Sequence, residues 1–481
     1  MQASRATPLA LLLALTASPV HPQADRPDAD TITSGLTEIL TLATLGTVTT
    51  QERAAQVTRS GADYLVRLPL NGLSTPPDAA VSAVARPLDG GAWDITSMTF
   101  PSAGTVETEI PNAGTNRIAF SIGEQTMHLR IDPNFAHPST FTANLGDVRL
   151  RSDQGDHHSE QVVGRYIVDG TLSAEPGGQS DFASRGKATD WHLTAHGPNG
   201  FDTDAVVRSL SGHVSVEGLD RAQGTRLLTA ARALIANAQT AAPGQSPGTS
   251  AAQRQDLQAL IDAVTGLLSR FEADETLDDI NFTAGPANSG TIGHVRLNMV
   301  GNAADQRLNA RIDIGVDEFA MAAVSAETAA YVPHHIDIKS VMAGVRTEPL
   351  MALLRAAAAQ DADPVALQAQ VTALLGDAGA RIGIDSLTFD SGPVRATASA
   401  RIRPRANGQL GVEIHVAATG IDALIAQAAA KPALQRTLPV MFAAKGMGRP
   451  EGDALVWDIN MGDGPVTVNG LPFGQPAARK R

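Results

Sequence analysis

Four short stretches set ionisable side chains close together along the chain, and each suits a recognisable chemistry. Asp156-His157-His158 with Glu160 mixes imidazole and carboxylate, ligands that suit zinc or a neighbouring divalent ion. Adjacent side chains converge on one ion only when a scaffold turns them, so residues 152–160 read as a solvated polar loop. His334-His335 and Asp337 follow Pro333. On a strand only His335 and Asp337 would share a face. Asp278-Asp279 and Asp317-Glu318 are acid pairs of the kind that glycoside hydrolysis uses at separations of about 5–10 Å. Sugar-cleaving sites also present aromatic platforms, and this chain has only three Trp and three Tyr. These acids therefore read as solvated ends of strands or helices.

The familiar catalytic constellations are missing. There is no G-x-S-x-G elbow, no G-x-x-x-x-G-K-[ST] phosphate loop, no H-E-x-x-H helix and no Cys. A chain without Cys has no disulfide, no thiol catalysis, no iron–sulfur cluster and no lipid attached through a Cys. No catalytic, cofactor-binding or metal-ligating residue is assigned, and no cofactor is expected.

Composition narrows the class further. A chain of 481 residues, 43% apolar and 18% charged, is long enough for two or three folded domains or one extended sheet. Forty-four Gly and 28 Pro point to many turns between short strands. A net charge of −13 leaves no surplus to neutralise phosphates, so nucleic acid is not an expected partner. Near the start, Arg5 precedes the apolar run Leu9-Ala10-Leu11-Leu12-Leu13-Ala14-Leu15 and the small residues Ala17 and Ser18. This reads as a signal peptide over residues 1–24, with an uncleaved anchor as the alternative. The run is shorter than the roughly 20 residues that span a bilayer, and no later run matches it. The expected product is a soluble periplasmic body.

Those residues need elements to position them. Apolar residues at Ile32, Leu36, Ile39, Leu40 and Ala43 give a helical spacing. Alternation at 64–70, 117–122 and 127–132 predicts strands, within a mostly antiparallel region over 47–217. Residues 224–240 and 251–271 are predicted amphipathic helices, joined by a flexible connector at 242–248. Strands are predicted over 277–319, a helical pair over 347–360 and 364–375, and strands over 384–416. A last helical piece near 421–430 precedes the final strands. The domain reading is therefore 25–220 as a β-rich region, 221–345 as a helical pair plus β-meander, and 346–481 as a second such pair and meander.

A weak internal repeat crosses this layout, apolar-x-x-apolar-x-apolar before a Gly turn. It appears at Ile95, Met98 and Phe100, at Leu277, Ile280 and Phe282, at Ile384, Leu387 and Phe389, and at Val456, Ile459 and Met461. Trp93 and Trp457 sit in or beside two of these copies, each before Asp, and read as anchors of the sheet.

The most specific stretch is C-terminal. Ile384-Asp385-Ser386-Leu387-Thr388-Phe389-Asp390-Ser391-Gly392-Pro393-Val394 is followed by Gly408-Gln409-Leu410-Gly411 and Gly420-Ile421-Asp422-Ala423-Leu424-Ile425. The chain then reaches Asp463-Gly464-Pro465-Val466-Thr467-Val468-Asn469-Gly470-Leu471-Pro472-Phe473-Gly474. This pattern resembles an uncharacterised Gram-negative envelope family known only as a domain of unknown function, and more loosely the YdgA-like and AsmA-like proteins. The resemblance implies an exported, elongated β-sheet protein with helices on one side, and it carries no catalytic residue to transfer.

The expected fold class is α+β: β-rich, with long twisted antiparallel sheets in repeated meanders and helical pairs packed on one face. The expected function is a non-enzymatic periplasmic envelope protein that handles lipid or docks an envelope partner. Small Ala-rich walls between helices and sheet leave room for an acyl chain. Two alternatives are a hydrolase of an envelope polymer and a structural module that recruits a partner strand at its sheet edge.

Overall fold

The period-two alternation of residues 56–131 folds as short antiparallel strands, and most of the following chain folds as longer ones. The computed structural model describes residues 32–33, 36–37, 49–50 and 55–473, except 72–75, 77, 111–113, 132–137, 175–177, 198–200, 240–250, 265, 286–287, 323, 326–328, 360–362, 378, 406–408, 433 and 463. The signal-peptide residues 1–24 and the connector 242–248 lie outside the described residues. The chain divides into two compact units, Met1–Leu277 with Phe282–Pro286, and Asp278–Asn281 with Ala287–Arg481.

In the first unit β1 (Thr49–Thr50) and β2 (Gln56–Ser60) pair with β3 (Asp63–Asn71), which pairs with β4 (Ala80–Pro87). β5 (Trp93–Thr99) lies beside β4, and β6 (Ala103–Ile110) beside β7 (Gly114–Ser121). β8 (Glu124–Ile131) joins β5 to β9 (Pro138–Gln154), on which β7 also pairs. Long hairpin strands follow as β10 (His157–Ala174), β11 (Gln179–Gly197) and β12 (Phe201–Asp220). Then come the helices α1 (Arg221–Gln239) and α2 (Ala251–Val264), packed on each other, and β13 (Arg270–Ala284), whose residues Asp278–Asn281 belong to the second unit.

Alternation builds the core of this unit. Val66, Leu68 and Leu70 face inward from β3, Val81, Ala83 and Ala85 from β4, and Met127, Leu129 and Ile131 from β8. Ile32 and Leu36, one helical turn apart, add to the same cluster and are almost fully buried. Trp93 is buried with them, its ring met edge-on by Tyr64 at 5.4 Å. Burying each such side chain contributes on the order of 1.5–3 kcal/mol before entropy is counted.

Partway along the long strands the inward alternation changes phase. On β12 the sheltered positions are Thr203, Ala205 and Val207 in one half, but Val214 and Val216 in the other. The change falls level with acidic residues held in the left-handed region, Asp147 at φ 49° and Asp190 at φ 53°. Each faces a glycine on the preceding strand or its lead-in. A methyl on Gly123 would sit 2.9 Å from Asp147 Cβ, and one on Gly164 would sit 3.1 Å from Asp190 Cβ. Asp tolerates this backbone better than most residues, and only glycine leaves room beside it.

The second unit is a single antiparallel run. β14 (Ser289–Ala304), β15 (Arg307–Asp317), β17 (His335–Arg346), β18 (Arg381–Asp390), β19 (Arg395–Pro404), β20 (Leu410–Thr419) and β22 (Ala454–Met461) pair in that order. Shorter strands sit at its margins: β16 (Ala320–Met321), β21 (Arg449–Glu451), β23 (Thr467–Val468) and β24 (Leu471–Pro472). Gly293 faces Glu318, at φ 57°, in the same glycine-and-acid arrangement. The helices are α3 (Thr347–Ala357), α4 (Pro364–Gly376), α5 (Ile421–Ala430) and α6 (Leu438–Met447). Pro364 occupies the first turn of α4, where Asp363 accepts a hydrogen bond from the Val365 N–H at 2.9 Å. α6 is anchored by Trp457, whose Nε1 donates to Ala444 O at 2.7 Å, and by Asn469, whose Nδ2 donates to Met447 O at 2.7 Å.

The apolar repeat has a physical cause. Residues three apart share a strand face only if one extra residue intervenes, as in a bulge. Ile95 and Met98 are both buried, across a register shift between β4 and β5. Ile384 and Leu387 likewise meet Ala400 and Ala398 across a shift in β18. On β13 Asp279, at φ 51°, lies between Leu277 and Ile280. The copy on β22 has no shift in its pairing with β20, and Val456 and Trp457 are both buried there.

Three expectations change. Residues 152–160 are not a loop but the tip of the β9–β10 hairpin, turning at Gly155 and Asp156. Both strand faces are polar there, which hides the alternation. The helix predicted to reach residue 271 ends at Val264, and β13 begins at Arg270. Gly266, at φ 73°, makes that break. α6 has no counterpart in the sequence reading, since Pro439 marks the first turn of a helix there rather than a loop. Replacing Gly164 by Val should press a branched side chain against Asp190 and cost about 1–3 kcal/mol, read as a lower urea midpoint at unchanged slope.

Candidate functional site

Registers in the second unit assemble a face that no single strand reveals. Val295, Val316, Ile336, Phe389, Ala396, Ala418 and Leu455 lie in one row across seven strands. The next row is Leu297, Ile314, Ile338, Leu387, Ala398, Val416 and Trp457. Two further rows continue through Met299, Ile312, Ile384, Ile414 and Ile459, and through Met342, Ile382, Ile402, Val412 and Met461, interrupted only by Ser340 and the small Gly301, Ala310 and Ala400. With strands about 4.8 Å apart and rows about 6.7 Å apart, this face measures about 29 Å by about 20 Å.

Little of it is covered. Only Ala418 and Trp457 are buried, in a small cluster with Val468 under α5 and α6. The remaining positions are half-buried, except Ile312 and Ile314, which are 40% and 36% exposed. A contiguous apolar patch near 600 Å² is at the upper end of what a monomer leaves in water, and patches of that size usually mark a binding surface.

The opposite face carries the charges. His294, Asp317, His335, Asp390 and Arg395 are neighbours in one row across five strands. Asp317 accepts from His335 Nδ1 at 2.5 Å and from Arg296 at 2.9 Å. Those contacts, the His335 hydrogen bond first, hold its carboxyl below the usual range against the opposing effect of desolvation. Asp390 is likewise lowered, chiefly by the Gly392 N–H and then by Arg395. Further pairs on this side are Arg311 with Asp313, Lys339 with Asp337, and His415 with Asp458.

The residues singled out by sequence fall on such pairs rather than into a pocket. His158 bonds Asp153 at 2.7 Å, Glu160 lies 3.8 Å from Arg149, Asp156 is in the turn, and His157 points to the other side of the strand. His334 lies 4.0 Å from Asp390. Asp278 pairs with His294, while Asp279 and Glu318 hold left-handed backbone. Neither acid pair converges on a cleft. Among the described residues no group of three or more His, Asp or Glu is arranged to hold a metal ion. A shallow depression of about 420 Å³ on β2–β5 is lined by Thr58, Leu65, Arg67, Ser82, Val84 and Thr99 among others, with no His, Asp or Glu in its lining. Trp93 and Trp457 both anchor the sheet.

The first unit has the same two-sidedness in its long strands. Val148, Val163, Trp191 and Val207 form one row, and Leu150, Leu193 and Ala205 fall in the next, interrupted by Gln161 between Leu150 and Leu193, with Phe120 beside Leu150. Among the described residues no helix is long and apolar enough to cross a membrane.

Asp317 gives a test of the charged face. Its folded pKa lies below the ordinary value of 3.8, so its contribution is complete above that value and is lost as the pH falls through the folded one. Urea unfolding at about pH 5 and about pH 2.5 should therefore show a smaller loss for Asp317→Asn than for wild type. The difference should stay under about 1 kcal/mol, because the pair is partly solvated.

No curated protein and no solved structure matches the chain. Residues 203–476 match the model of a family described as an uncharacterised protein conserved in bacteria, DUF2125. That stretch includes every row of the apolar face and more than half of the chain, and the chain belongs to the DUF2125 family.

Proposed function

We propose that this chain is an exported, non-enzymatic envelope protein that holds acyl chains against the apolar face of its second unit. The observation that carries this reading is the four-row face across β14–β22, apolar almost throughout and covered only at its β20–β22 end. Its length along the strands, about 20 Å, exceeds the roughly 15 Å that a lipid chain spans in one leaflet. Each methylene moved from water onto such a surface contributes about 0.8 kcal/mol, so one chain supplies ample affinity without any polar anchor. The ionisable groups pair among themselves on the other side, which supports a binding role over hydrolysis. The leader-like residues 1–24 and the absence of Cys support an exported, periplasmic location. Val440, Phe442, Leu471 and Phe473, all more than half or about half exposed near the C-terminus, would suit contact with a lipid surface.

The test is native mass spectrometry of protein purified from its own periplasm, followed by organic extraction. A stoichiometric phospholipid or other acyl species is expected on wild type and on Thr388→Asp, whose side chain belongs to the charged face. Ile338→Asp and Ile312→Asp should fold, since both positions are only partly buried, and should lose the bound lipid. A clean apo mass for wild type would overturn the proposal.

A further inference from the structure

Near the β9–β10 turn, four side chains stand in one row on neighbouring strands: Asp153, His158, His196 and Asp202. His158 and His196 are direct cross-strand partners, which places their Cβ atoms about 4.5–5.5 Å apart on the same face. Each imidazole is tied at Nδ1 to its outer neighbour, His158 to Asp153 at 2.7 Å and His196 to Asp202 at 2.9 Å. An ionised carboxylate only accepts, so each Nδ1 carries the proton and each neutral ring keeps its lone pair on Nε2. Neither Nε2 has a hydrogen-bond partner among the described residues. Arg151 donates to Asp153 at 3.0 Å and so fixes that carboxylate further. The two imidazoles are 50% and 64% exposed and open to solvent.

We propose that His158 and His196 bind a late first-row divalent cation, zinc(II) or copper(II), through their Nε2 atoms. Metal-ligating imidazoles characteristically donate their other N–H to a carboxylate, which fixes the ring and raises its basicity. Asp153 and Asp202 already hold the rings in that way as positioning residues. Two Zn–N bonds of about 2.0–2.1 Å need the nitrogens within about 3–4 Å of each other, a separation within reach of two side chains whose Cβ atoms stand about 4.5–5.5 Å apart. Two protein ligands leave the remaining positions to water. The His294–Asp317–His335 row does not offer this arrangement, because a carboxylate strand separates its imidazoles. The site is independent of the acyl-chain reading, which concerns the second unit.

The experiment is titration of the full chain with zinc(II) by calorimetry and with copper(II) by electron paramagnetic resonance. Wild type should take up one equivalent tightly, with hyperfine splitting from two equatorial nitrogens. Asp202→Asn should weaken zinc binding by about tenfold, and His158→Ala and His196→Ala should each weaken it by more. His157→Ala, one residue away on the other face, should bind as wild type does. Circular dichroism would establish that each variant is folded. The proposal is overturned if wild type takes up no stoichiometric metal. It is equally overturned if His196→Ala binds normally, or if His157→Ala loses as much as His196→Ala, which would mark scattered surface binding.

Discussion

The pleat of an antiparallel strand sends successive side chains to opposite faces, and the rest of this structure follows from that constraint. Register then decides which side chains from distant parts of the chain become neighbours. In the second unit it gathers the aliphatic residues of seven strands into one surface and their charges into another. A slip of one residue on any strand would drive charges such as Arg311 or Asp313 into the apolar rows. The ion pairs on the far face stabilise little individually. Their contribution is to make the wrong register costly.

The two units use the same pleat to different ends. The first closes its apolar face over a cluster that includes Leu68, Val81, Trp93 and Ile95 and takes in Ile32 and Leu36 from outside the sheet. That closure supplies stability in the ordinary way. The second leaves most of its face half open, with a small buried cluster around Trp457. Apolar surface in contact with water stores free energy that a bound chain would release, so the less complete core is the more suggestive one. α4 meets β17 and β19, and Trp457 of β22 holds α6.

Much of the architecture was legible in the residues. Strands β3, β7, β8, β18, β19 and β20 alternate clearly, and Pro364 marked the start of α4. The three-residue spacing of the repeat was visible, although its meaning as an extra residue in a strand was not. The C-terminal motif pointed to a family of unknown function, and the family match extends that stretch back to residue 203. Other features lay beyond reach for physical reasons. Residues 152–160 are polar on both faces, so no period survives to identify a strand. Whether an apolar face is covered depends on what packs over it, which alternation does not encode. His196 faces His158 through register alone, and nothing in their separation along the chain announces it.

The glycine-and-acid arrangement constrains one partner more than the other. Gly123 with Asp147, Gly164 with Asp190 and Gly293 with Glu318 each place glycine at or before the first strand of an adjacent pair and the left-handed acid at or just after the second. A side chain at the glycine would crowd the acid beside it, whereas a change at the acid leaves the glycine room. None of the three glycines has a left-handed backbone, so each is held to glycine by the space its neighbour takes and not by its own φ.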